Sequence, residues 1–222
     1  AVIQFKLEGQ LIKNHPEYGM DGRCFFDKVD FGRGVINIGG KEYELRDKSF
    51  PTVDVSDPLK LSREESELVR ILQSSFRHSG RLRQHIKFIY DHGGMYRKIN
   101  GNLLYHGCIP LNDDGSFREI TLPFADCAGK TFHGKALLDR IEQEVRSAYF
   151  SPNGTKEQKE AADFMWYLWC GRNSPLFGRE KITTFERYFV SDRDTWVERP
   201  LSFAQSIMSR TTAIQTTLRY VK

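Results

Sequence analysis

The 222 residues carry 33 Lys plus Arg against 29 Asp plus Glu, a formal net charge of +4, with 39% hydrophobic and 28% charged positions. That balance excludes a disordered, collagen-like or disulfide-stapled chain, and the length is ample for a buried core. The charge is also uneven: residues 201–222 hold Arg210, Arg219 and Lys222 and no acid, while the first 200 residues carry 30 basic and 29 acidic groups, without the excess of a nucleic-acid-binding domain.

In chain order, residues 1–13 place Ile3, Leu7 and Leu11 four apart, which predicts a helix with that stripe inward, stopped by Asn14-His15-Pro16. The stripe starts without a methionine or cap, as if the chain began inside a longer protein's helix. The start also lacks the basic-then-apolar layout of a signal peptide, and no run approaches the ~18 apolar residues of a membrane span, so the expected compartment is the cytoplasm. Residues 24–45 read as two or three short antiparallel strands broken by Gly32-Arg33-Gly34 and Gly39-Gly40. Pro51 to Pro58 is a linker. Ser62-Arg63-Glu64-Glu65 forms a capping box for a helix to about His78 with Leu68, Leu72 and Phe76 on one side. A second helix, near Arg81 to His92, carries Leu82, Ile86 and Ile89.

Met95-Tyr96-Arg97-Lys98-Ile99, Asn100-Gly101 and Asn102-Leu103-Leu104-Tyr105 then predict a hairpin, because both turn residues need positive φ. Helices are expected at 134–150, through Leu138, Ile141, Val145 and Ala148, and at 156–170, through Ala161, Met165 and Leu168, the latter capped by Thr155 with Gln158. Asn153-Gly154-Thr155 matches a glycosylation sequon but reads as a turn plus that cap.

Several constellations could carry chemistry. His106 ends an apolar strand and precedes Gly107, where the backbone can turn sharply and approach a ligand, the setting of many metal ligands and general bases. Gly129-Lys130-Thr131-Phe132-His133-Gly134-Lys135-Ala136 falls short of a phosphate-binding loop, since Ala136 has no hydroxyl for magnesium and no convincing strand precedes it. Cys24, Cys108, Cys127 and Cys170 show no C-x-x-C spacing and none has an arginine six residues on, against zinc-ribbon, thioredoxin-like and thiolate-phosphatase chemistry. Trp166 to Lys181 joins an aromatic helix end to a Gly/Pro loop bearing Arg172, Arg179 and Lys181, suited either to phosphate or to offsetting the helix dipole.

The segments Asn102 to Asn112, Gly134 to Leu137 and Trp169-Cys170-Gly171-Arg172-Asn173-Ser174-Pro175-Leu176-Phe177-Gly178 closely resemble class III fructose-1,6-bisphosphatase, a branch of the calcineurin-like metallophosphoesterases. The resemblance runs from residue 1 to about Arg199. It implies an α/β (α+β) fold, an incomplete metallophosphoesterase-like β-sandwich with flanking helices, and a chain divided into a central or C-terminal family portion, 1–200, and an unmatched basic Ser/Thr-rich tail, 201–222. It implies removal of the 1-phosphate of fructose 1,6-bisphosphate in gluconeogenesis at a two-metal site holding manganese. His106 then matches a histidine metal ligand, Arg172, Arg179 and Lys181 become substrate-phosphate contacts, and Tyr105 and Cys108 pack the strand.

The superfamily's G-D-x-H, G-D-x-x-D-R and G-N-H motifs do not occur in this sequence, so negligible activity is expected of the chain alone. Three readings follow. The chain is a section of the enzyme, a non-catalytic paralogue or subunit that pairs with another chain, or, through Phe203, Ile207, Ile214, Leu218 and Val221, a basic amphipathic binder of membrane or nucleic acid. The body's charge argues against the last. A homo-oligomer remains open.

Overall fold

The computed structural model describes residues 1–112 and 114–198. The 203–221 stripe and the whole 201–222 tail lie outside them. The chain divides into two compact units: one holds Ala1–Lys87 with Thr183–Val197, the other holds Phe88–Ile182 and resumes at Glu198.

The first unit opens with helix α1, Val2–Asn14, which ends where Pro16 begins a 3-10 turn. Its inward face differs from the expected stripe. Phe5, Lys6, Gly9 and Ile12 are buried, whereas Leu7 is exposed and Ile3 and Leu11 are only half-buried. Gly9 is the reason: a Cβ there would stand 2.5 Å from Leu59 Cδ2 and 3.3 Å from Cys24 Sγ, so the helix turns its bare backbone to the neighbouring chain.

Strands β1, Val29–Asp30, β2, Val35–Ile38, and β3, Lys41–Glu44, form an antiparallel sheet in that order, with Ile36 facing Tyr43 across β2 and β3. Gly39 and Gly40 both take positive φ, 62° and 85°, as a two-residue hairpin turn requires. Late in the chain a short helix unannounced by the sequence, α6, Thr184–Phe189, returns to this unit. Val190 bridges Leu45, and the Arg46 amide donates to Phe189 O at 2.8 Å. The Phe185 ring, fully buried, stacks on Phe25 at 4.3 Å and meets Phe5 edge-on at 5.0 Å, so residues 180 apart in sequence share one aromatic core.

Helix α2, Arg63–His78, starts at the expected capping box: the Glu65 amide donates to Ser62 Oγ at 3.2 Å and the Ser62 amide to Glu65 Oε2 at 2.8 Å. Glu65 also receives Lys6 Nζ at 2.8 Å, and Lys6, with no solvent-accessible side chain, donates to Thr52 O as well. Only Glu65 of α2 is buried. The apolar side noted in the sequence, Leu68, Leu72 and Phe76, faces solvent with Ile71. Helix α3, Gly80–His92, follows and crosses from the first unit into the second.

The second unit contains the hairpin β4, Tyr96–Ile99, and β5, Asn102–Tyr105, followed by the long helices α4, Gly134–Phe150, and α5, Lys156–Cys170, which pack together. Both helices fall where the apolar spacing predicts them. Thr155 Oγ1 accepts from the Gln158 amide at 3.2 Å, but the Gln158 side chain reaches back to Ala148 O instead of completing a box. Leu137, Leu138 and Ile141 of α4 and Ala161, Phe164 and Leu168 of α5 are buried.

Mixed helices and small antiparallel sheets are the α/β (α+β) composition the sequence suggested. Of the implied β-sandwich, the described residues form one three-stranded and one two-stranded sheet.

Candidate functional site

Both candidate loops belong to the second unit, and each is positioned by its own element. Asn100 and Gly101 take φ of 52° and 77°, closing the β4–β5 hairpin so that β5 delivers an exposed His106. The next residue makes the decisive contact. Gly107 has φ +84°, and a Cβ placed on it would lie 2.0 Å from Pro175 O and 2.7 Å from Leu176 O. This is a close approach of two backbones that no other residue permits. The Cys108 amide then donates to Pro175 O at 2.7 Å, and Cys108, Ile109 and Pro110 run inward.

The facing loop is held just as specifically. Gly171 ends α5 with its amide on Tyr167 O at 2.6 Å, and its missing side chain leaves room for the Tyr167 ring. The Tyr167 hydroxyl donates to Arg172 O, and burial pushes its pKa up to about 12, so it stays a protonated donor. Asn173 turns the chain with φ 69°. Ser174, buried, donates from Oγ to Leu168 O at 2.6 Å and accepts from the Phe177 amide at 3.3 Å.

His106 and Arg172 thereby stand on two loops locked by one backbone contact, His106 one residue before Gly107 and Arg172 three before Pro175. Both side chains are exposed, and neither has an ionic partner among the described residues. Arg179 is also exposed but forms an ion pair with Glu198, which a phosphate must displace. Lys181 is half-buried farther along the same segment. Trp169, at the end of α5, is 76% exposed.

Tyr167 and Ser174 are the contributors that pattern reading missed. Their only signal was proximity to Gly171 and Pro175, since hydrogen bonds to main-chain carbonyls leave no periodic trace. Cys108 is inert where it sits, its thiol pushed up to about 11 by burial. The Gly129–Lys135 near-match to a phosphate loop is likewise occupied: Lys135 binds Asp139 one turn on, and Ile120 bridges Phe132 in place of a preceding strand.

Among the described residues no three His, Cys, Asp or Glu side chains converge, so His106 is a single donor. A divalent cation of the manganese class needs several imidazole, carboxylate or other oxygen ligands. The described residues do not fit a two-metal centre.

These two loops are the segments whose residues resemble a phosphatase family, and comparison bears that out. The family model described as Firmicute fructose-1,6-bisphosphatase matches residues 1–218, and the chain belongs to that family. It is 50% identical over 198 residues to a fructose-1,6-bisphosphatase class 3 of Clostridium novyi (strain NT), covering 89% of this chain and 29% of the relative. The corresponding protein of Clostridium acetobutylicum is 49% identical over 199 residues, 90% of this chain and 29% of its own. That of Alkaliphilus metalliredigens (strain QYMF) is 46% identical over 199 residues, 90% and 30%. The chain thus spans about three-tenths of the length of the curated relatives it matches. No solved structure matches it.

Proposed function

We propose that this chain is the portion of a fructose-1,6-bisphosphatase that presents substrate-phosphate contacts and one metal donor to an active site completed by other polypeptide. The reaction is hydrolysis of the 1-phosphate of fructose 1,6-bisphosphate, with manganese as the metal of the completed site. The observation that carries this reading is the Gly107–Pro175 contact, which ties an exposed histidine to an exposed arginine through rigid backbone. Arg172 supplies a planar fork of donors for a phosphate, and Arg179 and Lys181 add positive charge along the same segment. His106 is the imidazole donor. No chemical step is assigned to this chain, because one donor cannot hold the metal pair. The cytoplasm suits four buried cysteines, none in a disulfide.

A second reading, an interaction module without catalysis of its own, is favoured by one observation, the exposed apolar stripe of α2. In either case the family portion takes in residues 1–200, and the family model reaches residue 218.

The test is a titration of the 222-residue chain with fructose 1,6-bisphosphate, followed by tryptophan fluorescence, to which the exposed Trp169, three residues from Arg172, contributes. A saturable change that Arg172→Ala weakens at least fivefold is expected, with no phosphate release in the presence of manganese. An unchanged response in Arg172→Ala overturns the substrate contact, and robust turnover overturns the incompleteness.

A further inference from the structure

The turn that carries Arg172 is fixed on both flanks. Before it, the Gly171 amide donates to Tyr167 O at 2.6 Å as α5 ends. After it, the Ser174 amide donates to Gly171 O at 3.2 Å, Ser174 Oγ to Leu168 O at 2.6 Å, and the Gly178 amide to Ser174 O at 2.9 Å. The peptide unit joining Arg172 to Asn173 lies between these anchors. Asn173 stands at φ 69°, in the left-handed region that disfavours a residue with a Cβ. Rotation of that peptide plane changes ψ of Arg172 and φ of Asn173 together, so it is a joint through which Asn173 can relax and the Arg172 side chain can swing. The Arg172 carbonyl belongs to this plane, and it accepts the Tyr167 hydroxyl. The Tyr167 ring is itself held, stacked on the fully buried Phe164 at 5.5 Å with 17° between the planes, in space that a Cβ on Gly171 would occupy.

We propose that Tyr167 is the positioning residue of Arg172: its hydroxyl locks the 172–173 peptide plane and so fixes the direction in which the guanidinium leaves the loop toward a substrate phosphate. The proposal rests on the phosphate reading of Arg172 and adds the group that prepares that arginine. A guanidinium meets phosphate as a planar fork, so its orientation counts, and freedom lost before the ligand arrives is not lost again on binding. The bond is more than an end to the helix. Helix α5 stops at Cys170 with Gly171 as its cap, and the Arg172 carbonyl lies beyond both. Arg172 is exposed, so water takes the place of a missing hydroxyl on its carbonyl, and the loss falls on the orientation of the loop rather than on the fold.

Tyr167→Phe keeps the ring and its stack and removes the donor alone. The Arg172 carbonyl and the Asn173 amide share one peptide plane, so ¹⁵N relaxation of the Asn173 amide reads the clamp without ligand. In the 222-residue chain its order parameter should fall from the rigid value of about 0.85 to below about 0.6 in Tyr167→Phe, with the urea midpoint close to that of the parent. Calorimetric titration with fructose 1,6-bisphosphate should show about three- to tenfold weaker binding, the worth of one neutral hydrogen bond in the share of competent loop. That loss should vanish in the Arg172→Ala background, which a merely structural role would not produce. An unchanged Asn173 order parameter overturns the proposal, as does an affinity loss of the same size in the Arg172→Ala background. A parent-like affinity in Arg172→Ala overturns the phosphate reading and the proposal with it, and the Asn173 amide distinguishes that result from a failure of the clamp.

Discussion

The contact between Gly107 and Pro175 carries the proposed function, and two alanine substitutions isolate what it is worth. Gly107 and Gly115 share the same backbone angle, φ +84°, in the same unit. A Cβ on Gly115 has no atom within 4 Å, whereas one on Gly107 lies 2.0 Å from Pro175 O. Gly115→Ala therefore bears only the strain of a left-handed conformation, about 1–2 kcal/mol. Gly107→Ala bears the same strain and also forces the loops apart, stretching the 2.7 Å bond from the Cys108 amide to Pro175 O. A buried donor left unpaired costs about 1–3 kcal/mol, and displacing packed backbone costs a similar amount. The Gly107 variant should then lose about 2–6 kcal/mol more than the Gly115 variant. Urea unfolding of the two variants beside the parent chain measures that difference. Equal losses would refute the reasoning, because they would show that the loops separate at no cost and that His106 and Arg172 are not held together.

Three further outcomes follow from buried groups. Lys6→Met leaves the Glu65 carboxylate enclosed without its cation and should cost about 3–5 kcal/mol, most of it recovered in Lys6→Met/Glu65→Leu apart from the lost cap, as a double-mutant cycle in urea would show. Burial pushes the Glu65 carboxyl up, but hydrogen bonds from Lys6, Thr52 and the Ser62 amide outweigh it and hold the group below its ordinary 4.5. A lowered carboxyl stabilises the fold fully above its unfolded value and loses that contribution as pH falls through the folded one, so Glu65→Gln should flatten the acid limb of stability below about pH 4.5. The Cys24 and Cys108 thiols, both pushed up to about 11 by burial, should resist an aromatic disulfide reagent at neutral pH and react at once in denaturant. Rapid native labelling of Cys108 would show that its loop opens readily.

Much of the second unit was legible because its signals are local. Asn100-Gly101 fixes a hairpin through backbone angles alone, and the ends of α4 and α5 follow from apolar spacing and a threonine cap. Gly107 announced a sharp turn and a close approach, read as room for a ligand, whereas the structure fills it with another stretch of backbone. It could not say which one, since Pro175 lies 68 residues on and its carbonyl has no residue-type signature. The first unit shows a different limit. Periodicity states which residues share a helical face, not what covers it. In α1 the buried face runs through Phe5, Gly9 and Ile12, beside a lysine whose partner, Glu65, comes from another helix, so its hydrophobic pattern is broken at the positions that matter most. The unbroken stripe of Ile3, Leu7 and Leu11 is largely left at the surface. In α2 the pattern is regular and the capping box is present in the structure, yet the apolar side is bare. Among the described residues Glu65 is the one buried side chain of α2 and Val69 is half-buried, so the helix is held near its N-terminal end by a charged pair, a kind of anchor that apolar spacing does not announce.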